Sequence, residues 1–184
     1  MQYEAFASVA IPQKLKISLT QDEVDKVLKP CLQKSCKLVK DYAKSHHGYN
    51  DRTGKLTRAI SYMITNNVKK KYELDAKIYI NDKIAKVDNK YGGYGYGKYV
   101  VNGTGIHGGS GAYAIYPRYK KALKLFDGRI VHHVNKHPGS KRYAFLDNAI
   151  RRTRKDIRKI FEDGLSEAFG KTIRLGWGGK DSWL

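Results

Sequence analysis

Residues 112–146, AYAIYPRYKKALKLFDGRIVHHVNKHPGSKRYAFL, carry the pattern that decides the fold. The dipeptide Asp127-Gly128 tolerates positive φ and separates two short apolar runs, so it predicts a hairpin turn. Residues 137–140, His-Pro-Gly-Ser, predict a second turn because proline presets φ. Phe145 and Leu146 then begin an apolar stripe of helical spacing. The stretch therefore predicts strands followed by a long helix, and it offers an assembly surface with basic residues beside it rather than a catalytic centre.

The chain has 184 residues and 41% hydrophobic residues, which is enough for one domain with a core of its own. It carries 36 Lys and Arg against 17 Asp and Glu, a net charge of +19. This excess favours a polyanionic partner such as nucleic acid, or an acidic neighbour in a larger assembly. No run approaches the roughly 20 apolar residues of a membrane span, and we expect neither a signal peptide nor a membrane partner.

The cysteine and histidine spacings favour no metal site and no cofactor. Cys31 and Cys36 are five residues apart, which on a helix places them on different faces, so we expect two reduced, semi-buried thiols. His133 and His137 have the spacing of ligands on one helical face, but Pro138 disfavours a helix there. His46 and His47 are better explained as residues at a helix end, facing its dipole.

The pattern of elements predicts an α+β fold, with an N-terminal helix and a long C-terminal helix packed on a mixed or antiparallel sheet. A capping box at residues 20–23 starts the first helix, which we expect to be kinked or divided at Pro30 and to end near residues 46–48. Residues 74–80 alternate apolar and polar side chains and predict the clearest strand, with a weaker one at 84–87. The last helix is predicted over residues 143–169, with Gly170 as the left-handed residue that ends it.

Shorter patterns complete the predicted organisation. Residues 14–19 alternate as a half-buried strand would, and 56–64 predict a short helix running into a strand. Further strands are predicted at about 113–117, 123–126 and 129–134. A single domain is expected to span residues 1–170, with a long loop at about 88–112 and a Gly- and Trp-containing tail at 171–184.

The tyrosines of the glycine-rich segment and the tryptophans of the tail are candidate subunit contacts. Tyrosine covers contact area at low entropic cost, although tyrosines beside cations also stack on single-stranded bases. Free tryptophans at a chain end would be exposed, so docking on a partner or on the domain itself is expected. The candidate interface residues are Tyr91, Tyr94, Tyr96, Tyr99, Gly103, Thr104, Trp177 and Trp183.

A basic run on the last helix is the candidate DNA-facing surface. Its members are Arg151, Arg154, Lys155 and Arg158. One face of the helix could follow a phosphate backbone, with affinity falling steeply in salt. The alternative is a solvated helix face supported by an Asp147–Arg151 pair at i, i+4. Neither a helix-turn-helix nor a paired-carboxylate or Ser/His/Asp constellation is apparent, and we expect no enzymatic activity.

Three segments, in order, resemble motifs of the neck and tail-completion proteins of tailed bacteriophages. Residues 52–60, which include Thr53 and Gly54, resemble that family's Thr-Gly-x-Leu-x-x-Ser-Ile segment. Residues 97–104 resemble its Tyr-Ala-x-x-Val-Glu-x-Gly-Thr segment, with Asn102 where an acid is usual. Residues 115–146 resemble the block that ends in Pro-Gly, five residues, and Phe-Leu, here Pro138, Gly139, Phe145 and Leu146.

The resemblance spans roughly residues 50–170 and implies a non-enzymatic α+β protein that assembles as a ring between capsid portal and tail. Its implied partners are further copies of itself, other neck, portal-adaptor and tail proteins, and genomic DNA in non-specific contact. It would reside in the virion neck or tail, and in the host cytoplasm during assembly. The alternative is a basic nucleic-acid-binding protein that uses the last helix and the Tyr/Gly loop.

Overall fold

Three antiparallel strands form the sheet on which the body of the molecule is built. The protein was examined as a computed structural model that describes residues 4–10, 21–66, 73–87, 94–118, 120–125 and 127–170. Strands β1 (Glu4–Ala10), β2 (Ile60–Asn66) and β3 (Glu73–Ile80) pair in the order β1-β3-β2. The alternating pattern predicted β3 correctly, because Leu74, Ala76, Ile78 and Ile80 all point into the core.

Two 25-residue helices pack against each other, and the first of them also covers the sheet. Helix α1 spans Gln21–Ser45 and helix α4 spans Phe145–Phe169. Tyr49, just after α1, contacts Phe145 at the start of α4, with ring centroids 5.0 Å apart. A Cβ atom at Gly164, near the end of α4, would overlap the sulfur of Cys31 in the first half of α1. The helices therefore run antiparallel, and glycine at 164 permits their close approach.

The predicted α+β class, the antiparallel sheet and the two long helices are confirmed. Pro30 lies inside α1, which continues through it as one helix instead of being divided there. Packing on the sheet is confirmed for α1, whereas α4 packs mainly on α1. Gly170 adopts φ 60° directly after α4, as predicted for a helix-ending glycine.

Residues 94–108, predicted as part of a long loop, form a series of short ordered elements. Strand β4 (Lys86–Val87) pairs with β5 (Tyr94–Gly95), and helix α3 (Gly97–Asn102) and a 3-10 turn (Gly105–Gly108) follow. Val101 of α3 is fully buried. The glycine content suggested a flexible loop, but several of these glycines lie where neighbouring chain segments approach closely.

Two two-stranded ladders lie between this segment and α4. Strand β6 (Tyr113–Ile115) pairs with β9 (Val134–His137), and β7 (Leu123–Lys124) pairs with β8 (Ile130–Val131). The turn at residues 127–128 joins β7 to β8, with Gly128 at φ 86°, so the predicted hairpin is confirmed. Short helix α2 (Lys55–Ala59) runs directly into β2, also as predicted.

The helices bury more side chains than their sequence patterns predicted. Cys31 and Cys36 are free thiols, and both are buried rather than semi-buried, since α1 contacts the sheet on one side and α4 on another. Ala168 near the end of α4 is exposed, whereas Thr153 is buried and donates to the Ala149 carbonyl at 2.8 Å. Arg151 donates to Asn148 Oδ1 at 3.1 Å.

Candidate assembly surface

Two of the three sequence motifs meet in a single backbone junction. Thr104 donates its N–H to the Ser140 carbonyl at 3.0 Å, and Ser140 N–H donates to Thr104 Oγ1 at 2.8 Å. Ile106 N–H donates to the Pro138 carbonyl at 2.9 Å. The Gly-Thr segment and the Pro-Gly segment, more than thirty residues apart in sequence, are thus fastened face to face. We call residues 103–105 and 138–140 the junction.

Glycine is required at the junction because two backbones come into contact there. Gly105 and Gly139 have φ of 60° and 93°, in the region that favours glycine. A Cβ atom at Gly139 would overlap the Thr104 carbonyl, and one at Gly105 would overlap the Pro138 carbonyl. A side chain at either position would force the two backbone segments of the junction apart.

The junction connects directly to the core through the start of α4. Tyr143 N–H donates to the Val100 carbonyl at 3.0 Å, and Phe145 and Leu146 are buried. The Tyr49 ring lies edge-on to the rings of Tyr143 and Phe145, at 6.2 and 5.0 Å between centroids. The turn at residues 138–139 is thus followed within a few residues by side chains of α4 that enter the core.

The third motif, at residues 52–60, begins in a loop held by hydrogen bonds next to the rings of Tyr49, Tyr143 and Phe145. We call residues 47–58 the braced loop. One oxygen of Asp51, Oδ2, accepts hydrogen bonds from Thr57 N–H and Thr57 Oγ1, both at 2.7 Å. Burial raises the pKa of Asp51, but hydrogen bonds from Thr57, Gly54 and Thr53 outweigh it and hold that pKa below its usual value. The Thr53-Gly54 turn, with Gly54 at φ 66°, is thereby fixed beside an open depression lined by residues 47–58.

His47 and Tyr49 complete the bracing of this loop. Their rings stack at 4.0 Å, and His47 Nδ1 lies 3.1 Å from the Tyr49 carbonyl oxygen. Burial raises the pKa of Tyr49 to about 12, so this phenol stays protonated. His46, for its part, stacks on Tyr42 at 4.1 Å and lies 3.2 Å from the Tyr42 carbonyl, in agreement with a role at the end of α1.

Between the two halves of the junction, residues 106–137 form what we call the arm. None of its described residues is buried, although it carries four short strands. Ile130 is 73% exposed and Tyr116 is 67% exposed. The ring of Tyr116 stacks on His133 at 5.6 Å, and that of Tyr113 lies 5.5 Å from His137. The arm therefore has a root fixed by the junction and exposed apolar side chains, and its described residues form no buried core.

The predicted interface residues fall into three groups. Gly103 and Thr104 belong to the junction, where Gly103 is buried and Thr104 is half-buried. Tyr96 is half-buried against the core and Tyr99 is exposed beside Lys98, whose Nζ lies 5.0 Å from the ring centroid. Tyr94 contributes its backbone to β5. Tyr91, Trp177 and Trp183 lie outside the described residues, as do residues 14–19 and the capping box at Thr20.

The basic run of α4 is divided by the fold. Arg151 and Lys155 are exposed, together with Arg152 and Lys159, whereas Arg154 and Arg158 are half-buried. Arg158 pairs with Glu162 at 2.8 Å. The surface that a polyanion could reach is therefore centred on Arg151, Arg152 and Lys155.

The described residues contain no group of three or more His, Cys, Asp or Glu able to hold a metal ion. In the same ranges, no helix combines the length and the apolar character of a bilayer span. Burial raises the pKa of Cys36 to about 11 and also raises that of Cys31, where Lys34 acts in the opposite direction, so neither thiol is an activated nucleophile.

Sequence reasoning missed the bracing role of Asp51 and the aromatic contact of Tyr49. Asp51 looked like an ordinary turn residue, and its partner Thr57 lies six positions away. The six-residue spacing to a threonine at the start of a short helix was the available signal. Tyr49 offered none, because its partners Tyr143 and Phe145 are almost a hundred residues distant.

Comparisons of the chain with protein-family models, curated proteins and solved structures find no match.

Proposed function

We propose that this protein is a structural component of the head-to-tail connection of a tailed bacteriophage, assembled as a ring of identical subunits. The observation that carries the proposal is the arm, which leaves the body at a glycine-locked junction and has exposed apolar residues but, among its described residues, no buried ones. A two-stranded ladder is marginally stable alone in water, so an arm made of two such ladders needs a partner surface.

The three sequence motifs support the same proposal by where they lie. Thr53-Gly54, Gly103-Thr104 and the Pro138-to-Leu146 block come together around Tyr49, Phe145 and the junction. Each motif shapes or anchors a feature at one end of the molecule. This suits a protein whose function is the geometry with which it meets its neighbours, and in this role it would join the portal complex to the tail around the DNA passage.

The proposal is tested by where the protein resides. Particles of the phage that encodes this chain should contain it at a fixed number of copies, measurable by quantitative mass spectrometry of purified particles. Particles lacking the chain should have filled heads and unattached tails in electron micrographs. A chain that is made during infection but absent from purified particles would contradict the proposal.

A second candidate function, binding to nucleic acid, is favoured by the exposed cations of α4. Replacing Arg151, Arg152 and Lys155 by Ala should weaken binding to double-stranded DNA and lower the salt slope by up to about 0.9 per lost phosphate contact. The matched control replaces Lys29, Lys34 and Lys37, three exposed cations of α1, by Ala. Equal losses in both variants would indicate attraction by the overall +19 charge rather than by this helix face.

A further inference from the structure

The exposed charges at the two ends of α4 have opposite signs. At one end the arm carries six Lys and Arg against one acid, Asp127. Its lysines Lys120, Lys121, Lys124 and Lys136 are all exposed. Asp127 is held by Arg129, with 2.6 Å between Oδ2 and Nε. The arm is therefore strongly basic as well as apolar.

From its middle to its C-terminal end, α4 carries an acidic stripe formed by Asp156, Asp163 and Glu167, all exposed. Their spacing of seven and four residues keeps them within about 40° of one another around the helix. Half-buried Ile160 lies in the same sector, with Lys159 at its edge. In a chain with about twice as many bases as acids, this face combines acids with an apolar residue.

The acidic stripe lies along α4 away from the root of the arm. The rise along the helix from Phe145, next to the arm root, is roughly 17 Å to Asp156, 27 Å to Asp163 and 33 Å to Glu167. These rises are about two to four times the screening length of about 8 Å at physiological salt. Among the described residues, no ion pair joins the four arm lysines to the three acids.

We propose that the arm of one subunit docks on the acidic stripe of the next subunit. The cations of the arm would meet Asp156, Asp163 and Glu167, while Ile130 and Tyr116 would cover the exposed part of Ile160. A second copy is the occupant because it supplies acids and an apolar residue on one face, matching cations and apolar residues on the arm. Such a contact joins two different surfaces, so it is head-to-tail and generates a ring when the rotation closes. This inference rests on the proposed function and names the contact that the ring would use.

Complementary charge reversal tests the docking on the full-length chain. The arm variant is Lys120→Glu, Lys121→Glu and Lys124→Glu; the stripe variant is Asp156→Lys, Asp163→Lys and Glu167→Lys. Each variant alone brings like charges together at every contact and should assemble more than about tenfold more weakly than the wild type in sedimentation. Mixed in equal amounts, the two variants should regain assembly, because each arm then meets a stripe of opposite charge.

Recovery on mixing also shows that both variants are folded. The mixed assembly should alternate the two chains, which native mass spectrometry resolves because the chains differ in mass. The matched control for the arm variant, Lys29→Glu, Lys34→Glu and Lys37→Glu on α1, makes the same change in net charge as that variant and should assemble like the wild type.

Failure of the inference is distinguishable from failure of the proposed function. If the wild type forms rings and the single variants form them equally well, or if mixing restores nothing, the arm–stripe contact is wrong while the ring stands. If the arm variant loses only DNA binding and still assembles, nucleic acid rather than a second copy is the partner of the arm. A wild-type chain that stays monomeric overturns both.

Discussion

At the residue scale, the junction depends on the absence of a side chain at Gly139. Gly139 has φ 93°, and a side chain at this position would meet the Thr104 carbonyl. Gly111 has a similar φ of 76° but open space around it. Substitutions at Gly139 and Gly111 together separate the free-energy cost of the left-handed backbone from the cost of a steric overlap with the neighbouring segment.

We expect Gly139→Ala to lower the free energy of unfolding by about 3 kcal/mol or more, because it adds a steric overlap to the cost of a left-handed residue. Gly111→Ala, the matched control, should cost about 1–2 kcal/mol from conformation alone. Urea denaturation of both variants provides the measurement. Equal losses would mean that the junction opens readily and is not a rigid root.

Cys36 should make stability depend on pH in the alkaline range. Its pKa is 9.0 in an ordinary environment and about 11 when buried in the fold. Because the folded state holds the proton more tightly, the stabilisation is complete below pH 9 and is lost as pH rises through about 11.

Cys36→Ala should therefore flatten part of the fall in unfolding free energy between pH 9 and 11, measured by chemical denaturation at several pH values. Tyr49, whose pKa rises to about 12, adds its own loss at higher pH, so Tyr49→Phe serves as the comparison variant. Identical pH profiles for wild type and Cys36→Ala would show that the thiol reaches water in the native state.

At the element scale, the described part of the arm contributes little to the core of the monomer. Its strands pair as 113–115 with 134–137 and 123–124 with 130–131, and none of its described residues is buried. Exposed apolar residues on such an element matter for association rather than for folding.

Ile130→Ser should change the unfolding free energy of the monomer by less than about 0.5 kcal/mol, since the residue is 73% exposed. The same change should weaken self-association about tenfold or more if Ile130 is a central contact. The control is Ile84→Ser, which alters an exposed isoleucine of the body. A large loss of monomer stability would show that the arm has a core of its own.

Periodic apolar positions predicted the long helices and the clearest strand well, whereas the glycine-rich composition of residues 94–108 led to the wrong prediction of a loop. The apolar stripe and Gly170 predicted the last helix at residues 143–169, and it is observed at Phe145–Phe169. The prediction is close because a 25-residue amphipathic helix repeats its apolar positions many times in the sequence. Residues 94–108 were predicted as loop because glycine usually weakens regular structure. Here Gly97 instead lies against Ile80, a contact that no local pattern encodes.

The candidate site was predictable only in part for the same reason. Thr53, Gly54, Gly103, Thr104, Pro138 and Gly139 were named from the sequence, yet only the three-dimensional fold brings Thr104 against Ser140. The acidic stripe has no local sequence signature, because its three acids are spread over twelve residues among the cations of α4. Only the helical period places them on one face.

At the scale of the whole molecule, the described structure has two different ends. One holds the junction, the braced loop at residues 47–58 and the basic arm, and the acidic stripe runs from the middle of α4 towards the other. The body between them consists of antiparallel helices and a three-stranded sheet. Polar end-to-end organisation of this kind suits subunits that join head-to-tail, and head-to-tail contacts close into rings.

The central claim, that the chain is a ring-forming structural subunit, is tested most directly by native mass spectrometry of the purified full-length protein over a range of concentrations. The account predicts one closed oligomer of fixed subunit number that grows at the expense of monomer and weakens as salt is raised, because charged contacts contribute to it. A chain that remains monomeric at every concentration and salt tested would contradict it.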